Sequence, residues 1–284
     1  MLKILAIAVL MFGATASSAF AQAKIFLAST GNDANDGGRA TPKRSLQAAH
    51  DAVFTNGEIV ILDTAGYGAV MITKGLGIVV PPGVSGFVTV TTADGNGVTI
   101  NAGASDIVTL RGLIIEGPGL SGSAKGVYVQ SVGTLVVEDT TIRNFYNGIV
   151  VDSPANTKLV ARGGAIRNTY YGILINDHAP NNAANGLVTD TELTANYISL
   201  SARQIYSGST PHLVATRCAI SGSLFYSFYV TGAGADAVAD GCTIAGNAKV
   251  FTVDSGGTIF TRGNNTVYNN TSPGNATPVV LPAQ

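Results

Sequence analysis

Apolar residues recur along this chain in short alternating runs, each closed by Gly, Asn or Ser, and the runs repeat. Residues 142–151, IRNFYNGIVV, return as IRNTYYGILI at 166–175, a shift of 24 positions. With Ile142 and Ile166 as anchors, equivalent apolar positions fall at Ile114, Leu193, Ile220, Ile244 and Val267. The successive steps are 28, 24, 27, 27, 24 and 23 residues. A second apolar set precedes the anchors by about seven residues: Val108, Leu135, Leu159, Leu187, Leu213, Ala237 and Ile259. A third follows at a similar distance: Ile149, Ile173, Ile198, Phe228 and Phe251.

Three β-type runs per period of roughly 25 residues predict a solenoid. Helical repeats need a 3.6-residue apolar rhythm, and leucine-rich repeats need L-x-x-L-x-L-x-x-N; neither is present. The pattern predicts an all-β chain wound as a parallel β-helix of about nine coils. At about 4.8 Å per coil this makes a rod of about 43 Å. The duplicated decapeptide is then one corner on two adjacent coils. Asn144 and Asn168 fall at its turn, where Asn tolerates a left-handed backbone. Residues 58–269 form the solenoid in this reading, and 22–57 an N-terminal cap. Within the cap, SLQAAHDAVF (45–54) predicts a short helix with Ser45 as N-cap and Leu46, Ala49 and Val53 on its apolar side. The Pro-rich stretch 270–284 is expected to be an irregular tail.

The first 21 residues stand apart from this pattern. Lys3, the apolar run ILAIAVLMFGA and the small-x-small site Ala19-Phe20-Ala21 have the form of a bacterial-type secretory signal. The expected location is therefore secreted or periplasmic, with no membrane span after cleavage. Without Lys3 there remain 15 basic and 17 acidic residues, a net charge near −2. That balance excludes a nucleic-acid-binding surface.

The segment TPKRSLQAAHDAVFTNGEIVILDTAGYG resembles the cap and first coil of right-handed parallel β-helix proteins of the pectate-lyase-like superfamily. Leu46, Gln47, Ala49, Asp51, Gly57, Ile59 and Tyr67 stand at the positions of that cap pattern; His50 and AGYG depart from it. The resemblance implies a right-handed coil and a superfamily rich in polysaccharide lyases, hydrolases and epimerases. Its pectate-type members bind Ca²⁺ through clustered carboxylates and remove a C5 proton with Arg or Lys. Here the charged residues that follow each first strand are Arg111, Asp139, Arg162, Asp190, Arg217, Asp240 and Arg262. Alternating signs predict a ladder of ion pairs on this face instead of a calcium site.

The corner of the duplicated decapeptide offers a candidate substrate-binding set: Arg143, Tyr146, Arg167, Tyr170 and Tyr171. Guanidinium and aromatic groups on a rigid sheet can engage a sugar and an acidic substituent; a solvated corner is the alternative. Asp177 and His178 follow in a loop, and with Arg167 and Tyr170 they form a candidate catalytic set for proton transfer at a uronate. Asp33 and Asp36 in GNDANDGG are a candidate Ca²⁺ pair, one residue short of the calcium-loop spacing. No other cofactor is expected. His50 and His212 read as structural. Cys218 and Cys242 fall on successive coils, as a disulfide or as two stacked thiols. The expected function is polysaccharide binding or a structural role at the cell surface or in the periplasm. A lyase or C5-epimerase acting on uronate-containing glycans is the alternative.

Overall fold

The computed structural model describes residues 22–282; the segment read as an export signal, 1–21, lies outside the described residues. The chain is all-β, about 54% strand and 3% helix, wound as a parallel β-solenoid of about eight turns. The expected nine coils shrink by about one because the terminal laps are incomplete, with strands of two residues at Ala65–Gly66 and Val279–Val280. One sheet has eleven strands and the other sixteen. The larger sheet turns along a corner, so each full coil adds one strand to the eleven-strand sheet and one to each of two wings. Thr141–Ser153 and Ala165–Asp177 run through both wings without a break. In later coils the wings separate: Glu192–Thr194, then Ile198–Arg203. The near wing is the first of these and the far wing the second.

Register confirms the repeat and corrects it at three places. In the near wing Ile142, Ile166, Leu193, Ile220, Ile244 and Val267 lie in one row, continued backwards by Ile115, not Ile114. In the eleven-strand sheet the row runs through Gly186, not Leu187. Leu187 is 41% exposed, while Gly186 leaves the space into which the Ile175 side chain reaches. In the far wing Leu200, not Ile198, joins Ile173 and Phe228. The first two are one-residue slips, and a slip of one moves a side chain to the opposite face of a strand. The rows enclose one continuous core, in which each fully buried Leu, Ile or Phe contributes about 1.5–3 kcal/mol.

Positive-φ residues stack at both corners. The corner leaving the eleven-strand sheet carries Gly112, Asp139, Gly163, Asp190, Arg217, Gly241 and Gly263. The corner between the wings carries Asn144 (φ 63°), Asn168 (φ 52°), Ala195, Gly222, Gly246 and Asn269, as expected for the two asparagines. Just inside this second corner, Asn196, Asn247 and Asn270 donate to the carbonyls of Ile166, Ile220 and Ile244 on the preceding coils, at 3.0, 3.0 and 2.8 Å. Asn247 also accepts the N–H of Ser223 at 2.8 Å. These side chains supply the hydrogen bonds that the bent backbone cannot make along the ladder.

At the N-terminal end, the helix Leu46–Ala52 is capped by Ser45, whose hydroxyl accepts the N–H of Ala48. Leu46, Ala49 and Val53 join the core. The cap is not separate from the solenoid: Gln22–Leu27 is the edge strand of the eleven-strand sheet, and the strand Val53–Ile61 follows the helix directly. The tail is likewise not wholly irregular. Ser272–Gly274 pairs in the far wing and Val279–Val280 in the eleven-strand sheet. This end is open, with Tyr268 72% and Val280 66% exposed, and residues 264–284 include no charged side chain.

Candidate functional site

The corner between the wings carries an aromatic ladder longer than the sequence pattern indicates. Tyr146 and Tyr170 stack at 4.8 Å, Tyr170 and Tyr197 at 4.6 Å, and Tyr197 and Phe225 at 5.0 Å, all within 14° of parallel. The rings follow the coil spacing, so their faces are spent on one another and their edges and phenol oxygens point outward. Among the described residues only Tyr67 and Tyr128 donate phenol hydrogens to protein groups, which leaves the ladder hydroxyls to solvent or ligand. Burial and the neighbouring phenols Tyr146 and Tyr197 push the Tyr170 hydroxyl above its usual range. Tyr171 meets Tyr170 edge-on at 5.1 Å and 61°. The amine of Lys249 closes the far end, 5.2 Å from the centre of the Phe225 ring. Tyr197 and Phe225 escape the sequence reading because loop insertions stretch the interval from 24 to 27 and 28 residues.

Arg143 and Arg167 are register neighbours, but both guanidinium groups are partnered. Arg143 bonds Glu116 at 3.0 Å, and Arg167 lies 3.9 Å from Glu192. The charged residues read as a single ladder separate into two columns. Arg111 and Arg162 end their strands and flank Glu138, the residue in register with both. Asp139, Asp190 and Arg217 occupy the adjacent left-handed corner, where Arg217 pairs with Asp190 at 2.7 Å. Arg262 reaches Asp240 at 3.8 Å. Further along the same sheet, His212 pairs with Asp236, whose carboxylate raises the imidazole above its ordinary range.

Asp177 and His178 are neighbours in sequence only. Strand alternation turns Asp177 under the following loop, where it is 1% exposed and accepts the N–H groups of Ile205 and Tyr206 and the hydroxyl of Ser209. Both of its oxygens accept from that loop, so Asp177 is a loop clamp, and its carboxylate does not pair with His178. His178 instead meets Asp152 at 3.0 Å, and the Tyr128 hydroxyl lies 3.5 Å from the second Asp152 oxygen. Asp33 and Asp36 are also engaged by protein groups. Asp33 accepts the N–H groups of Arg44 and Ser45 and the Ser45 hydroxyl, tying the loop to the helix N-cap. Asp36 accepts from Gly38 and Thr41. These donors hold both carboxyls below their usual range against a desolvation that favours the neutral form. Among the described residues no group of three or more His, Cys, Asp or Glu side chains is arranged to hold a metal ion. Cys218 and Cys242 are free, buried thiols.

The outer face of the far wing forms a grid of three columns. The first is Asn147, Tyr171, Ile198, Tyr226 and Lys249; the middle one is Tyr128, Val150, Leu174, Ser201, Tyr229 and Thr252. The third is Asp152, Asn176, Arg203, Thr231 and Asp254. Tall side chains on both flanks cover the middle column, so Val150, Leu174 and Ser201 are buried although they point away from the core. Burial raises the Tyr171 hydroxyl while the positive Arg203 opposes the shift.

No family model matches the chain, and no curated protein or solved structure matches it either.

Proposed function

We propose that the protein is an exported polysaccharide-binding rod acting at the cell surface or in the periplasm, with the corner ladder as its contact strip. One observation carries this reading: four aromatic rings, Tyr146, Tyr170, Tyr197 and Phe225, form an unbroken stack along successive coils, with the three tyrosine hydroxyls unbonded to protein among the described residues. A linear polymer of sugars is itself a periodic array of hydroxyls and apolar edges, so a rigid periodic strip suits it without loss of side-chain freedom. The resemblance of the cap segment to pectate-lyase-like proteins supports the same substrate class. Affinity electrophoresis in gels cast with a panel of polysaccharides tests it. Retardation by at least one polymer, reduced about fivefold or more in Tyr170→Ala and Tyr197→Ala, is expected. Uniform mobility in every gel would refute it.

A catalytic reading has a separate basis in the His178–Asp152 pair beside Tyr128. An imidazole oriented by a carboxylate can exchange a proton at a uronate C5. Incubation with polyuronates, with and without Ca²⁺, checks it. Unsaturated-uronate absorbance or C5 inversion that disappears in His178→Ala and Arg167→Ala would establish a lyase or epimerase, and unchanged polymer would leave binding alone.

A further inference from the structure

On the far-wing face several polar atoms lie covered yet unbonded. Among the described residues Ser201, 1% exposed, has a hydroxyl with no hydrogen-bond partner; so has Thr252, 7% exposed and two coils further along the same column. The side-chain carbonyl of Asn176, one coil before Arg203 in the adjacent column, is unpartnered as well. Native proteins rarely leave such atoms unsatisfied, since each costs about 1–3 kcal/mol. Of the seven such atoms among the described residues, three lie on this face within four successive coils, and the other four, on Asn96, Arg143, Asn182 and Ser227, lie apart from them. Tyr229 lies between the two hydroxyls and stacks on Tyr226 at 4.9 Å.

The same face carries, among the described residues, two cations with no acidic partner, one of which, Lys249, lies over the Phe225 and Tyr226 rings at 5.2 and 5.4 Å. Among the described residues neither Arg203 nor Lys249 has a carboxylate within ion-pair distance. Of the neighbouring acids, Asp152 pairs with His178, while exposed Asp254 accepts only the N–H of Ser255 at 2.8 Å and keeps its charge. A hollow of about 270 Å³ opens beside Lys249 and Thr252, bounded by Tyr226 and the last coil.

We infer that the outer face of the far wing is a trough for an acidic glycan segment, in which Arg203 and Lys249 meet its anionic groups and Ser201, Thr252 and Asn176 exchange hydrogen bonds with its hydroxyls once the side chains that cover them turn aside. The inference rests on the polysaccharide reading but names a different surface from the corner ladder, and a ligand of different charge from a neutral sugar chain. Ser201 and Thr252 are separated by two coil spacings, roughly 9.5 Å, so the ligand spans at least two sugar units. A guanidinium fits a carboxylate or sulfate fork equally well, and both sources share this chemistry.

The chain contains ten Tyr and no Trp, so the part of the tyrosine emission change that is lost in a Tyr171→Phe/Tyr229→Phe variant reports on the trough. The test titrates the mature protein with trigalacturonate, a sulfated galactose trimer and neutral galactotriose. Saturable change with one or both acidic trimers, weakened by added salt, is expected, with no change for the neutral one. The responding trimer identifies carboxylate or sulfate as the recognised group. Arg203→Ala should weaken binding about tenfold, and Ser201→Ala or Thr252→Val about threefold, with unaltered melting temperature. Tyr170→Ala should leave the acidic trimers' affinity intact while reducing retardation in polysaccharide gels. A flat titration, equal response to galactotriose, or an unaffected Arg203→Ala overturns the trough whatever the gels report. Gel retardation lost in Tyr170→Ala alone would then uphold the corner without it.

Discussion

Glu138, its side chain 8% exposed, sits between Arg111 and Arg162 on the eleven-strand sheet, and each of its oxygens meets a guanidinium. Among the described residues the hydroxyl of Ser201, on the far wing and 1% exposed, has no hydrogen-bond partner, and Arg203 two residues on has no carboxylate within ion-pair distance. Both faces stack side chains at one coil spacing. On the first, most charges, Glu138 and its two arginines foremost, are answered from the coil above or below, so these columns are satisfied by the fold alone. On the second, Ser201, Thr252 and Arg203 stay unanswered among the described residues beside aromatic rings, and in the proposed trough a ligand answers them. A solenoid forces every outward residue into a column; whether the column is self-complementary separates a structural face from a recognition face.

The heaviest perturbation removes the scaffold beneath both faces. Asn247→Ala leaves the Ile220 carbonyl and the Ser223 N–H without their partner and should cost about 3 kcal/mol in a urea melt, since each orphaned buried group costs about 1–3. Glu138→Ala follows at about 2 kcal/mol because two facing guanidinium groups lose their common carboxylate. Arg203→Ala, equally a loss of one charge, should stay within about 0.5 kcal/mol. A large cost for Arg203→Ala and a small one for Glu138→Ala would erase the contrast. The subtlest effect is a pH slope on the self-satisfied face. Asp236 raises the His212 pKa in the folded protein above its ordinary 6.5, so this stabilisation is complete below that value. It is lost as pH rises through the folded pKa. The melting temperature should therefore decline between about pH 6 and pH 8, and Asp236→Asn should flatten that decline.

The repeat was legible because Ile142 and Ile166 sit in identical local settings and pair directly. The row is hidden where a glycine stands in it, as Gly186 does, because it has no side chain to mark the inward position and the adjacent Leu187 is the apolar residue. The corner tyrosines were legible as a pair, Tyr146 and Tyr170, but not as a ladder, because Tyr197 and Phe225 follow loops that alter the period. Asp177 and His178 misled for a physical reason. Adjacency in a strand sends two side chains to opposite faces, so neighbours in sequence rarely share a site. The true neighbours of His178 lie one and two coils earlier, at Asp152 and Tyr128, and only the register reveals them. The far-wing trough had no sequence signal at all, because an unpaired hydroxyl is recognised by what fails to surround it.

The two ends of the rod differ as much as its faces. A helix seals one, while the other finishes in short uncharged strands and bare valines. Because each lap holds chiefly to its immediate neighbours, the coils part in sequence and not all together. A pull on the C-terminus would peel the winding from the open end, each asparagine tie acting as a separate catch, and the lap nearest the helix would let go last.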